Sequence, residues 1–225
     1  AGEEVIGSPF TFTTEKQISL YNGGFENWWM NGNVAYPNEQ GISYWDTSNP
    51  GGASFGGSNT LETTSPVHSG SKAAKLESKY IVIKFAAASM YTGSFGQLIG
   101  TSGAKLNWGV PFTARPTALK GYMLYAPKAI NRVGKNLPAD APSEGEPDQC
   151  TMFCALLSEE LVVDNTDMSS FPDWETDSRV IAYGSLPAEQ NVDSKGKWKR
   201  VSIPLEYRDL HRRPTHLLVV FSASK

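Results

Sequence analysis

The stretch Tyr21-Asn22-Gly23-Gly24-Phe25-Glu26-Asn27-Trp28-Trp29 decides how this chain is read. It follows a β-type run, Gln17-Ile18-Ser19-Leu20-Tyr21. Asn-Gly-Gly is the chemistry of a tight turn or bulge, because these residues enter positive-φ conformations at low cost. Strand-like alternation beyond the turn buries Phe25 and turns Glu26 the other way. A carboxylate there requires water, a cation or hydrogen-bond donors. The tryptophan pair just past a strand end is either a corner of the core or an aromatic platform for a ligand.

Outward from this stretch, apolar runs are short and separated by Gly-, Pro-, Asn- and Ser-rich connections. Residues 73–78, 80–85, 119–125, 149–157, 179–183, 198–203 and 216–222 read as strands. In the second of these Ile81, Ile83 and Phe85 share a face, and Gln149–Leu157 is apolar on both faces, which marks a central strand. Residues 86–116 and 161–171 read as loop, as does most of 30–60, although Tyr44-Trp45-Asp46 and Phe55 argue for order there. No helix exceeds two turns, and there is no internal repeat. The expected fold is all-β, a jelly-roll β-sandwich with long loops over residues 17–225. Residues 1–16 form an extension or linker with a short edge strand at Phe10–Thr13. A strong central-type strand directly before Lys225 would leave an edge open, so the chain reads as lacking one or more C-terminal strands.

With 225 residues, the chain is long enough for a proper core. A net charge of −3 provides no field for nucleic acid, and no apolar run approaches the roughly 20 residues of a membrane span, so direct membrane insertion is not expected. The opening Ala1-Gly2-Glu3-Glu4 has neither a basic nor an apolar leader segment. Cys150 and Cys154 share a strand face about 13 Å apart, too far to bridge, and read as buried thiols.

Gly52-Ala53-Ser54-Phe55-Gly56 matches the Gly-x-Ser-x-Gly pattern of serine hydrolases, but no βαβ pattern surrounds it. His68, His211 and His216 lack the spacing of a zinc site. A glycosidase needs two carboxylates roughly 5–10 Å apart. Glu26, Asp46, Glu62, Asp148 and Asp173 are the conceivable members, and sequence spacing does not pair them, so no catalytic residue is assigned. The aromatic residues point elsewhere. Trp28, Trp29, Tyr44, Trp45 and Trp174 lie in polar stretches, near Asp46 and Asn49. Sugars stack their apolar C–H faces on aromatic rings and offer their hydroxyls to amides and acids. These seven residues, with Asp148, form the expected ligand-binding set; the bland alternative is that the rings plug the ends of a sandwich core. Trp198 reads as core, although alternation from Val201 and Ile203 would point it outward unless a bulge intervenes.

In order, these features resemble the putative carbohydrate metabolism domain family of surface lipoproteins and exported proteins of Bacteroidetes. The likeness covers residues 18–225. It rests on the opening stretch, Tyr44-Trp45-Asp46-Thr47-Ser48-Asn49-Pro50-Gly51 and Val67-His68-Ser69-Gly70-Ser71-Lys72-Ala73-Ala74-Lys75-Leu76. It continues through Pro116–Tyr122, Val180–Gly184, Trp198–Tyr207 and Pro214–Lys225. The resemblance implies a galactose-binding-like jelly roll with a role in glycan capture or processing at the cell surface or in the periplasm, alongside other domains of a surface assembly. Similar carbohydrate modules hold a structural calcium between an acid of the opening strand and an acid of the final strand. Glu26 matches the first position, and the paired aspartates that usually follow in the family are absent here. The expected function is a non-catalytic carbohydrate-binding or glycan-handling domain. A glycoside hydrolase or other glycan-active enzyme is the first alternative, and a structural or protein-interaction module the second.

Overall fold

Alternation along Thr151–Leu157 resolves into two buried faces. Cys154 and Leu156 enter one apolar cluster, and Phe153, Ala155 and Leu157 enter another. The computed structural model describes residues 16–53, 57–81, 84–100, 102–133 and 142–224. The expectations for Phe10–Thr13, Ser54, Phe55 and Gly56 fall outside these residues.

In chain order the strands are β1 (Trp29–Asn31), β2 (Val34–Tyr36), β3 (Trp45–Thr47), β4 (Thr60–Thr63), β5 (Ala73–Leu76), β6 (Lys79–Ile81), β7 (Lys84–Ala86), β8 (Ser89–Ile99) and β9 (Gly103–Trp108). They continue as β10 (Val110–Pro111), β11 (Ala118–Met123), β12 (Thr151–Leu157), β13 (Leu161–Asp164), β14 (Val180–Ser185), β15 (Lys199–Pro204), β16 (Glu206–Tyr207) and β17 (His216–Ser222). Among the described residues the only helical segments are Asn49–Gly52 and two 3-10 turns.

Nine strands form one curled antiparallel sheet in the order β13-β9-β8-β17-β12-β14-β16, with β10 added to β17 and β3 to β8. β17 is central, as its sequence predicts. It pairs with β12 along its whole length and with β10 and β8 on its other edge. The face carrying Cys154 and Leu156 is covered by the N-terminal stretch (Leu20, Tyr21, Phe25), by the β4–β5 hairpin and by the two-stranded β11–β15 sheet. The opposite face curls around Tyr91, Trp108, Leu161 and Val163, and Phe171 and Trp174 close it. This is the β-sandwich of jelly-roll type that the sequence predicts.

The curl originates in β8. Its first residues pair with β17 and β3, and from Gly93 onward it pairs with β9. Gly93 has φ +138°, and a Cβ there would overlap the Asn107 carbonyl oxygen. At the divergence Thr92 Oγ1 donates to the Leu217 carbonyl (2.9 Å) and accepts from the Val219 N–H (2.9 Å), so a buried hydroxyl bridges the opening ladders.

Several expectations change. Residues 86–116 contain the longest strand and two more rather than loop, and Leu161–Asp164 is a strand that lines the curl. The run 80–85 is not one strand: β6 and β7 pair with each other, leaving Tyr80 and Phe85 exposed opposite one another. Residues 17–21 form no ladder. In the opening turn Asn22 and Phe25, not Gly23 and Gly24, carry positive φ, and N–H bonds from Gly23 to Leu20 and from Phe25 to Asn22 close it. The turn nevertheless does what was expected of it. Phe25 meets Trp45 edge-on at 5.3 Å, and Glu26 faces away. Cys150 and Cys154 are free and buried, and burial pushes their thiols up to about 11 and about 12.

Candidate binding groove

Burial separates the aromatic residues. Trp45 is 1% exposed in the inter-layer core, with Nε1 donating to the Tyr21 carbonyl (2.8 Å) and its ring stacked on Phe221. Removing an indole from water contributes on the order of 3 kcal/mol, and no ring face is left for a ligand. Tyr44 packs against the same cluster. Trp28 ties its Nε1 to the Phe25 carbonyl (2.8 Å), and Trp29 stacks on Tyr36 at 4.9 Å within the β1–β2 hairpin. Asn49 is buried and bonded on all sides. Asp46 faces Tyr91 on the curled side, accepts N–H bonds from Phe95 (2.7 Å) and Thr47 (2.8 Å), and is pushed upward by burial. For Trp45 and Asn49 the structure therefore replaces the ligand-binding expectation with a packing role, because neither presents an accessible polar edge or ring face.

Trp174 differs. Asp173 Oδ1 accepts from the Glu175 and Thr176 N–H groups, which hold its carboxyl below the usual range and fix the turn carrying the indole. The indole lies parallel to Tyr183 (4.9 Å, 16°) and tilted against Phe153 (4.9 Å), and Arg208 Nε donates to its carbonyl. Tyr183 in turn borders an open groove of about 500 Å³ at the ends of β12 and β14. Gln149, Thr151, Ser185 and Asn191 supply its polar lining, over a floor that includes Met152 and Leu186. Asn191 is itself positioned by Cys150, donating to its carbonyl (2.8 Å). Asp148 adjoins Gln149, and its oxygens accept from the Gln149 N–H (2.8 Å) and the Ser224 hydroxyl (2.5 Å).

Trp174 thus backs Tyr183, which borders the groove, and Asp148 precedes its lining residue Gln149 without lining it, while Tyr44 and Trp45 lie on the opposite face of the sheet from Trp174. Tyr183, Ser185 and Thr151 escaped the sequence reading. The step from Ala182 to Tyr183 was the available signal, since successive strand residues face opposite ways and Tyr183 joins the cluster of Phe153 and Val180 on the other face of β14.

The lining contains no carboxylate. A second hollow of about 300 Å³ contains Glu62 and Glu77, but Lys72 binds Glu62 (2.5 Å) and Lys75 binds Glu77 (2.8 Å). The Lys75 bond lowers the Glu77 carboxyl, the opposite of what a general acid requires.

Glu26 serves as an anchor. Its oxygens accept from the Ser71 hydroxyl (2.8 Å) and the Ser71 and Lys72 N–H groups, and a Cβ at Gly70 would overlap them. No group of three acids, histidines or cysteines able to hold a metal forms among the described residues. Calcium takes six to eight oxygens, so the residues present at Glu26 do not fit that ion. The Ser71 hydroxyl, with the two amides, holds the Glu26 carboxyl below its ordinary value of 4.5. Its stabilising contribution is therefore present above pH 4.5 and lost as pH falls through the lower folded-state value. Glu26→Gln should melt below the parent at pH 7, with the gap narrowing toward pH 3; a constant gap in thermal melts would refute the anchor.

The structure is a curled antiparallel β-sandwich of the jelly-roll class, with an uncharged groove bordered by Tyr183 at one end of its sheet. The chain belongs to the putative carbohydrate metabolism domain family, whose model matches residues 17–225. Two crystal structures share the fold. One is a putative glycoside hydrolase from Bacteroides thetaiotaomicron, with 18% identity and a TM-score of 0.60 over 82% of this chain and 61% of that one. The other is a putative glycoside hydrolase from Bacteroides vulgatus, with 18% identity and a TM-score of 0.63 over 89% of this chain and 87% of that one. At this identity the likeness bears on the fold alone. No curated protein matches the chain. Among the described residues no helix is long and apolar enough to cross a membrane.

Proposed function

We propose that this domain binds a carbohydrate chain without transforming it, as the glycan-handling part of an exported or surface protein with other domains. The observation that carries the reading is the Trp174–Tyr183 stack beside a groove lined by hydroxyls and amides and free of carboxylates. Uncharged saccharides fit this lining. An aromatic wall takes the C–H face of a sugar ring, and Thr151, Ser185 and Gln149 match its hydroxyls in donors and acceptors.

The test is native-gel retardation against a panel of neutral plant, host and microbial polysaccharides, with analysis of released sugars on the same samples. The parent should be retarded with no product. Tyr183→Ala and Trp174→Ala should each weaken retention at least about tenfold, equivalent to about 1.4 kcal/mol, while circular dichroism stays unchanged. Retention unaffected by either change would remove the groove from consideration. Released oligosaccharide would replace binding with hydrolysis, the activity named for the two fold neighbours, and direct attention to Glu26, Asp46 and Asp148. Neither retardation nor release would favour a protein-contact role, for which the exposed Tyr80 and Phe85 of the β6–β7 hairpin are the motivating feature.

A further inference from the structure

The outer face of the β11–β15 strand pair gathers aromatic and basic side chains. Its inner face packs Leu119, Met123, Val201 and Ile203 onto Cys150, Met152 and Leu186, so it lies behind the wall of the groove. On the outer face Tyr122 stands opposite Arg200, and Lys120 opposite Ser202. Trp198 has the parity of Arg200 and points the same way, half-buried, which corrects the expectation that it belongs to the core. His68 lies flat on Tyr122, with ring centroids 3.6 Å apart at 17°, and meets Trp198 edge-on at 5.9 Å. Trp198 Nε1 is buried there without a hydrogen-bond partner among the described residues, and Tyr122 is 51% exposed.

The charge on this face is one-sided. Lys120 and Arg200 are exposed diagonal neighbours, within about 7–8 Å of each other by the geometry of such pairs, and neither strand contains an acid. This occurs in a chain whose net charge is −3. An arginine fork takes a carboxylate or sulfate in two parallel bonds, and a lysine adds a point charge beside it. Aromatic rings next to such a pair suit an acidic group carried on a ring with an apolar face. Nucleic acid suits the site less well, because an acidic protein gives a polyphosphate no long-range attraction and two cations neutralise little of it.

We propose that this face is a second saccharide site, specific for acidic sugars, with Arg200 and Lys120 holding the carboxylate or sulfate and the Tyr122–His68 stack meeting the ring. The probes are polygalacturonate, dextran sulfate, neutral dextran and a DNA duplex in native affinity gels. The parent should be retarded by polygalacturonate or dextran sulfate, the stronger of the two identifying the acid group, and not comparably by the duplex. The Lys120→Ala/Arg200→Ala double variant should lose at least about tenfold in affinity. Tyr122→Ala, which leaves the charge unchanged, should lose at least about threefold. The Tyr183→Ala chain should bind the acidic polymer as the parent does, so failure of the groove reading leaves this one standing. Absence of retardation, equal retardation by DNA, or a Tyr122→Ala chain that binds undiminished would each overturn the proposal, the last by reducing it to ion exchange.

Discussion

Gly93→Ala should be the most damaging single substitution in the sheet. The glycine adopts φ +138°, where an L side chain is strained, and a Cβ would occupy the position of the Asn107 carbonyl oxygen. Strain at such a backbone angle costs about 1–3 kcal/mol. Overpacking against a neighbouring strand adds about 1–3 kcal/mol more. For a domain of this size each kcal/mol lowers Tm by about 2–4 °C, so a fall on the order of 10 °C is expected in thermal melts. Because β8 exchanges its β17 and β3 partners for β9 at this residue, the variant should also lose protection from hydrogen exchange in β9 and β13 before β12 and β14. A variant melting within about 2 °C of the parent would show that the close approach is not required for the curl.

Asn49→Ala should be nearly as severe. The side chain is 1% exposed. Its Nδ2 donates to the Ala35 (2.8 Å) and Thr60 (2.7 Å) carbonyls, and its Oδ1 accepts from the Asn59 (2.9 Å) and Thr60 (3.0 Å) N–H groups. One amide thus ties β2 and β4 together. Truncation leaves four backbone groups without it, and a buried polar group without a partner costs about 1–3 kcal/mol. Partial relaxation brings the expected loss to about 4 kcal/mol, read as the midpoint shift in urea at constant slope. Asn49→Asp separates the contributions. The carboxylate keeps both accepted bonds but sets an anionic oxygen against two carbonyl oxygens, which raises its folded-state pKa. The deficit of this variant should therefore be largest at pH 7 and shrink as pH falls, because the protonated acid regains a donor. A loss under about 1 kcal/mol in the alanine variant would show that water takes over the bonds.

Legibility in the sequence tracked how much of each strand's stability is local. β12 and β17 were readable because both faces are buried and the runs 152–157 and 217–221 are apolar throughout. β8 was not. Its Gly93 and Gly96 have poor strand propensity, and at both the backbone of β9 (Asn107 and Lys105) approaches too closely for a side chain. The run 80–85 shows apolar periodicity but no turn residue between Ile81 and Lys84, so the β6–β7 pairing was not visible. The aromatic residues show why composition alone could not place the site. Tyr44-Trp45-Asp46 and Pro172-Asp173-Trp174 look alike as tryptophan–acid pairs in polar surroundings. The first enters a strand whose indole faces the core, and the second caps the opposite face beside the groove. Only the pairing of β3 with β8, a contact between residues distant in sequence, separates the two cases.

The central position of β17 has a consequence for how the protein is made. Chains emerge from the ribosome N-terminus first, and β17 is the last described strand to appear, although it joins β12 to β8 and β10. Until it arrives, β12 and β8 each present a bare apolar edge, and such edges recruit other chains. The sheet therefore cannot be assembled piecemeal during synthesis. The two halves of the main sheet, β13-β9-β8 with β3 on one side and β12-β14-β16 on the other, become one sheet only when residues 216–222 slot between them.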